Sequence, residues 1–498
     1  MIGTPAGRAR RGASAGLLAA SCALIAGCAV GPDFKRPAAP DVSGYTAHPI
    51  SITAASRGVA GAAQRFDPGG DVPADWWTLF QSKPLNDLVA QALANNHDLK
   101  AAQAALLAAR ENVLARRGAS FPTVTAGFSA TRQQQSVALA PTPGNNALEY
   151  SLFTPQVSVS YVPDVFGLNR RTTESVKAQE DAVRYQLAAA HLTLTTNVAS
   201  AVIQQASLDG QVDATRELID INAKSLEILR YQQSKGYASR LEVAAQESQL
   251  AAVAAALPPL LKQSAQQRDL IAILVGRYPS QAPADRFELS DLTLPEDLPV
   301  SLPSALVEQR PDVLQAEANL HAASAQIGIA TANRLPNIEL TANAGSTALA
   351  LSQVFTSGTG FWGLGAALTA PIFDGGTLLH QERSAKAAYV QASEQYRSTV
   401  LTAFQNVADT LVALEQDAEA LRAAAAAADA AGVTLDLSQQ RVRDGYANQL
   451  SLLSAEQAYQ QARIGLVQAQ ANRFADTAAL FQALGGGWGH RAELAEAK

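Results

Sequence analysis

The sequence predicts a mainly helical protein that also carries membrane strands, built from a duplicated helix-strand-strand-helix-helix unit. Three observations lead there. The chain repeats itself with a period near 209 residues, each copy holds two segments of alternating polarity, and each copy then runs on as a long helical pattern without proline. Composition agrees: charged residues are 16% of the 498, below the roughly 25% of an ordinary soluble domain, while 48% are hydrophobic, too many for general disorder. The net charge of −6 comes with no basic blocks, so nucleic acid is excluded as a partner. After residue 30 no run of 18 apolar residues could cross a bilayer as a helix, which excludes a polytopic helical membrane protein.

The first element is an address. Arg8, Arg10 and Arg11 precede an apolar run from about Ala13 to Ala26, the basic and hydrophobic regions of a secretory signal. The run ends Leu24-Ile25-Ala26-Gly27-Cys28, which resembles the lipobox of bacterial lipoproteins; an ordinary signal with an incidental cysteine is the alternative. The resemblance implies cleavage before Cys28, a diacylglycerol on its sulfur and an acyl chain on its amine, the multiple chains that stable anchoring needs. Cys22 leaves with the signal, so no free thiol or disulfide remains, and the loss of three arginines leaves 35 basic against 44 acidic residues, a charge of −9. Ala29 and Val30 follow the cysteine without an aspartate, which by analogy with lipoprotein sorting favours the outer membrane.

The repeat sets the domain plan. Phe121-Pro122 matches Leu335-Pro336 at an offset of 214, and Pro163 to Gly167 matches Pro371 to Gly375 at 208. Gly236 and Gly445, Leu241 and Leu450, and Gly276 and Gly485 are each 209 apart. The expected division is therefore a signal peptide over 1–27, a leader and first repeat over 28–300, a second repeat over 301–487, and a tail over 488–498.

Each repeat begins with a helix, about Leu85 to Arg117 in the first. Beyond Pro122, Val124, Ala126, Phe128 and Ala130 alternate with polar residues, as do Val157, Val159 and Tyr161; the loop between them lies around Pro141 to Asn146. In the second repeat Ile338, Leu340, Ala342 and Ala344, then Trp362, Leu364, Ala366 and Leu368, carry the same period of two. Strands of about ten residues with one apolar face match a transmembrane barrel with a wet lumen, although a soluble sheet packed on helices has the same alternation. Four strands cannot close a barrel, and open edges in lipid are prohibitively costly, so the chain needs copies of itself.

After the strands the period changes to that of a helix. Tyr389, Tyr396, Val400, Phe404, Val407, Leu411 and Leu414 form a packing seam, and Val176, Val183, Leu187, Leu194 and Val198 form another. Sixty residues at 1.5 Å each make a helix of roughly 90 Å, too long for an ordinary globular core. Each long helix ends at a turn, near Gly236 and Gly445, where glycine lets the chain reverse.

No catalytic constellation is legible. The six histidines, His48, His97, His191, His321, His380 and His490, lack the spacing that would place two on one helix face for a metal. Gly485-Gly486-Gly487 follows a helix end without the Lys-Ser/Thr of a phosphate loop and reads as a cap. No cofactor and no enzyme activity are expected.

Several blocks together resemble the TolC-like outer membrane factors, in particular the NodT-like lipoprotein branch that serves tripartite efflux pumps. They are Cys28 to Phe34 with Pro37; Asp75-Trp76-Trp77-Thr78-Leu79-Phe80 with Pro84-Leu85; Asn96-His97-Asp98-Leu99; and Gln309-Arg310-Pro311-Asp312-Val313 followed by Ala316-Glu317, Ala325 to Gly328 and Leu335-Pro336. The resemblance implies a homotrimer with a 12-stranded β-barrel in the outer membrane, continued by a 12-helix α-barrel tunnel through the periplasm. It implies an equatorial region built from about Arg277 to Pro303 and the two termini, a segment whose composition alone would also suit a flexible linker.

It further implies a periplasmic adaptor (membrane fusion protein) docking at the tips, with Lys235, Gly236, Tyr237, Gly445 and Tyr446 as candidates, and an inner-membrane pump of the RND type. Arg240, Glu242, Arg441, Gln449, Ser451 and Ser454 are the candidate gate residues. Family members commonly place an aspartate where this chain has Ser451 and Ser454, so weaker block by divalent ions is expected unless Glu242 substitutes. The leading expectation is a passive exit duct for small molecules. A duct for secreted proteins or peptides, or a periplasmic coiled-coil adaptor or structural lipoprotein, are the alternatives.

Overall fold

The computed structural model describes residues 29–48, 50–134, 149–282 and 286–490, without the His490 side chain. The signal, Cys28, the Pro141 to Asn146 loop and the end of the tail lie outside the described residues. In chain order the elements are β1 (Arg65–Pro68), α1 (Lys83–Asn95), α2 (His97–Gly118), β2 (Thr123–Gln134), β3 (Glu149–Tyr161), α3 (Leu168–Ser234), α4 (Arg240–Leu274), β4 (Asp297–Val300), α5 (Pro303–Gln309), α6 (Pro311–Ala332), β5 (Asn337–Ser346), β6 (Gly360–Thr369), α7 (Thr377–Arg443) and α8 (Gln449–Ala483).

The duplication is metrical. Helices α2 and α6 both have 22 residues, α3 and α7 both 67, α4 and α8 both 35. Two expectations are corrected. Helices α3 and α7 start 209 residues apart, not 208, each capped by an aspartate upstream. Asp164 accepts from the backbone N–H groups of Asn169 and Arg170, and Asp374 from those of Gly376 and Leu378. The helix starts keep the frame of 209, whereas the prolines upstream are 208 apart and the capping aspartates 210, so the strand-to-helix turns differ by a residue between the repeats. The first helix is also two helices. Asn96 breaks it by accepting from Leu99 N–H (3.0 Å) while donating to Leu274 O (3.1 Å), so its side chain competes with the helical backbone and starts a new helix.

The chain divides into two compact units. The first comprises residues 29–36, 107–182 and 316–396 and contains a four-stranded antiparallel sheet in the order β2-β3-β5-β6. Its register decides its chemistry. Val124, Val159, Ala342 and Leu364 form one row across all four strands, and Ala126, Val157, Ala344 and Trp362 the next. Between them runs Thr125, Ser158, Asn343 and Gly363. Directly paired residues share a face, so one face is apolar and the other polar. The apolar face is uncovered in the protomer: Val124 is 65% exposed, Trp362 76% and Leu364 77%. Strands β2 and β6 are the open edges.

In the same unit the leader is clamped by the buried Arg171, which donates to Val30 O (3.1 Å), Gly31 O (3.3 Å) and Asp33 Oδ1 (2.8 Å), while Phe34 stacks on His321 at 4.3 Å.

The second unit comprises residues 37–106, 183–315 and 397–490 among those described. Here the described residues after Arg277 bury Phe287, Leu289, Leu292, Leu294 and Leu298 and pair β4 parallel to β1. Thr293 N–H donates to Phe80 O (2.8 Å), Gln64 Nε2 bridges Pro295 O and Thr477 Oγ1 (3.0 Å each), and Trp76 and Phe80 in turn lie 5.5 and 6.2 Å from Phe481 and Phe474. The glycine cap is required sterically. Gly487 has φ of 64°, and a Cβ there would stand 2.2 Å from Val72 O. Beside this cluster Arg473 is 1% exposed and donates to Leu414 O (3.2 Å), Ala62 O (3.0 Å) and Thr53 Oγ1 (3.4 Å). Asp476 and Asp417 face each other near it, and burial together with that neighbour pushes the Asp476 carboxyl up.

Candidate functional site

The two helix-turn-helix tips lie in the second unit and are built alike, because the repeat carries the same punctuation in both. Helix α3 stops where Gly236 turns left-handed at φ of 77°, with Tyr237 N–H donating to Gln232 O (2.9 Å). Helix α7 stops at Gly445, φ of 78°, with Tyr446 N–H donating to Arg441 O (2.8 Å). Three residues past each glycine a cap starts the return helix. Ser239 and Glu242 form a reciprocal capping box on α4, and Asn448 Oδ1 accepts from Ser451 N–H (3.0 Å) on α8.

The candidate tip residues stand in solvent. Tyr237 is 86% exposed and Tyr446 78%; Lys235 holds its ammonium 5.5 Å from the Tyr231 ring. Sequence reasoning used Leu241 and Leu450 only as repeat markers, yet they are 80% and 68% exposed beside the tyrosines, so each tip presents a tyrosine-leucine pair. Their signal was the 209-residue match itself.

The gate candidates separate into two groups. Arg240, Arg441, Ser451 and Ser454 are exposed; Ser451 Oγ donates to Asn448 O (2.6 Å) and Ser454 Oγ to Leu450 O (3.1 Å). Glu242 Oε2 accepts from Ser239 N–H (2.7 Å) and Ser239 Oγ (2.8 Å), bonds that favour the charged form and lower its carboxyl below the ordinary value. Gln449 is buried and donates to Gln246 Oε1 (2.9 Å), inside a polar layer that sequence reasoning missed. That layer includes Asn222, Ser225 and the buried Glu456. Below it, Leu226, Leu229 and Val243 close one hairpin and Leu435, Leu452 and Ala455 the other.

Among the described residues no group of three or more His, Cys, Asp or Glu could hold a metal, and no helix is long and apolar enough to cross a membrane.

A four-stranded sheet with a bare apolar face and open edges, together with a duplicated pair of 67-residue helices, is the architecture of an outer-membrane duct. The model of the outer membrane efflux protein family matches residues 88–277 and 302–486, and the chain belongs to that family. It is 30% identical over 428 residues to the pyoverdine export outer membrane protein OpmQ of Pseudomonas putida, covering 83% of this chain and 88% of that one. It is 29% identical over 478 residues to the outer membrane protein OprJ of Pseudomonas aeruginosa, covering 95% and 96%. Among solved structures, the outer-membrane channel OprN superposes with a TM-score of 0.83 at 27% identity, over 93% of this chain and all of that one. The open-state MtrE channel of Neisseria gonorrhoeae gives 0.79 at 28%, over 93% and 99%. The protein is an outer-membrane efflux channel, and its family is one of transport ducts.

Proposed function

We propose that three copies close a twelve-stranded barrel in the outer membrane and a twelve-helix tunnel below it, and that the trimer passively releases small molecules delivered by an inner-membrane pump of the RND type through a periplasmic adaptor. The carrying observation is the sheet: an apolar face with no cover and edges at β2 and β6 that only another copy can pair. Relatives named for pyoverdine and toluene support small organic cargo. Purified trimers in planar bilayers should give discrete conductance steps, and no conductance from well-folded trimers would overturn the reading. Because Ser451 and Ser454 carry no charge and Glu242 is engaged by Ser239, divalent ions added at the tip side should block weakly. Strong block that persists in Glu242→Gln would contradict this.

The exposed tyrosine-leucine pairs suit the adaptor, since such side chains act as anchors at interfaces. Tyr237→Ser with Tyr446→Ser is expected to weaken adaptor binding at least about thirtyfold, one hot spot's worth, leaving the trimer intact. Surface plasmon resonance against the immobilised adaptor measures it, and unchanged affinity would remove the tips from the interface.

Cys28 would anchor the mature chain in lipid through its sulfur and amine. Mass spectrometry of the N-terminal peptide should find both groups acylated, and a free cysteine or a longer unprocessed end would refute the anchor.

A further inference from the structure

The tips are sealed by a polar layer at the level where three helices meet. Asn222 and Ser225 come from α3, Gln246 from α4, and Gln449 and Glu456 from α8; Gln246 is 0% and Glu456 1% exposed. Gln449 Nε2 donates to Gln246 Oε1 (2.9 Å), Gln246 Nε2 to Asn222 Oδ1 (3.0 Å), and Asn222 Nδ2 to Leu218 O (2.9 Å). These amides are neutral and satisfy one another. Glu456 is placed differently. Its Oε1 accepts from Ser225 Oγ (3.0 Å), whereas its Oε2 is buried with no hydrogen-bond partner.

The charge around it offers no relief. Lys224 of α3 and Arg443 of α7 line a cavity of about 310 Å³ beside Ser225 and Gln449, yet no charged group contributes to the shift of the Glu456 carboxyl. Helix α4 contributes the amide of Gln246, its Glu247 being outside and paired with Arg230 at 2.6 Å. Helix α8 adds the Tyr459 phenol, packed on Leu435, Leu452 and Ala455, and Arg463 two turns further on, whose Nε is itself buried without a partner. A carboxylate here would have the Ser225 hydroxyl and the Gln246 amide as its only donors and an Oε2 left without a hydrogen bond; burial outweighs both donors, so the charged form is costly away from water and the protonated carboxyl is favoured.

We propose that Glu456 is a proton-operated latch of the tips: protonated, it seals α8 against α3 and α4, and ionised, it loosens that packing. The proposal deepens the channel reading by naming its regulation. Burial raises the Glu456 carboxyl above its ordinary 4.5, so the sealed layer holds a proton that a solvated side chain releases. The sealed state is therefore fully favoured below 4.5, loses ground as pH climbs from there to the raised value, and changes no further above it. Acid locks the layer and alkali frees it.

The test uses the full-length trimer across a pH series, read by hydrogen exchange of residues 449–459 and, separately, by bilayer conductance. In the wild type, exchange and open probability should rise together with pH. Glu456→Gln, which cannot ionise, should keep both low at every pH. Ser225→Ala removes one of the two donors that favour the charged form and should move the midpoint up by about one unit, the worth of one hydrogen bond to a charge. Wild-type exchange independent of pH, or Glu456→Gln retaining the wild-type pH response, overturns the latch. Exchange that follows the prediction with no conductance in any variant would leave the latch standing and sink the channel reading instead.

Discussion

Leu364→Arg is expected to remove trimers from the outer membrane almost completely. Leu364 sits mid-strand on β6, in the row it shares with Val124, Val159 and Ala342, and is 77% exposed in the protomer. An arginine on the lipid face near the bilayer midplane costs roughly 2–4 kcal/mol, and in the proposed trimer the cost is incurred three times, about 6–12 kcal/mol in all. That rivals the whole stability of a typical domain. Thr125→Arg, one row away on the polar face, meets the wet lumen and should be tolerated. Membrane fractionation with unheated gel electrophoresis measures both. Equal loss from the two variants, or equal tolerance, would mean that the faces do not divide lipid from water, and the barrel would fall with that result.

The second large effect is predicted for Arg473→Met. Arg473 is buried and ties α8 to Leu414 O on α7 and to Ala62 O and Thr53 Oγ1 of the leader, so its loss removes three hydrogen bonds across these segments, Thr53 Oγ1 keeping another donor in Gln64 N–H. It is also the cation beside Asp417 and Asp476. Removing one partner of a buried charge group costs about 3–5 kcal/mol, because the remaining charges stay desolvated. The pH dependence has a definite sign. The Asp476 carboxyl is already raised to about 7 by burial and by Asp417, and without the guanidinium it rises further. The folded state then holds a proton that the unfolded chain has released, so the variant loses more stability as pH rises. Thermal melts followed by helical circular dichroism at pH 5 and pH 8 should show the larger deficit at pH 8. A deficit equal at both would detach Arg473 from the aspartates.

Much of the architecture was legible as periodicity. The seam read along α7 is the buried stripe at Tyr396, Val400, Val407, Leu411 and Leu414, and along α3 at Leu187, Leu194 and Val198. Phe404 keeps part of its surface and packs on Tyr45 at 5.5 Å, a contact across more than 350 residues that no local pattern announces. The break at Asn96 was hidden for a related reason. Its flanks are helical by composition, and its cap is completed by the Leu274 carbonyl, 178 residues away. The segment after Arg277 could by composition be a linker, because its five buried hydrophobic residues follow no regular period; only the resemblance assigned it to an equatorial region with the two termini, and Thr293 N–H does donate to Phe80 O.

The candidate site divides along the same line. The turns at Gly236 and Gly445 were readable because turn chemistry is local: a left-handed position needs glycine, and the cap must follow within a few residues; the tyrosines beside them entered only through the family resemblance. The enclosure of Gln449 and Glu456 was not readable, since glutamine and glutamate on a helix look alike whether they face water or two other helices. The amino-acid sequence by itself determined the duplication, the strand faces and the long helices, all of which arise from spacing within one element. Only the tertiary structure decided which polar side chains are enclosed, because burial is a property of several helices meeting, and the cost of an unpaired carboxylate depends on neighbours more than 200 residues away.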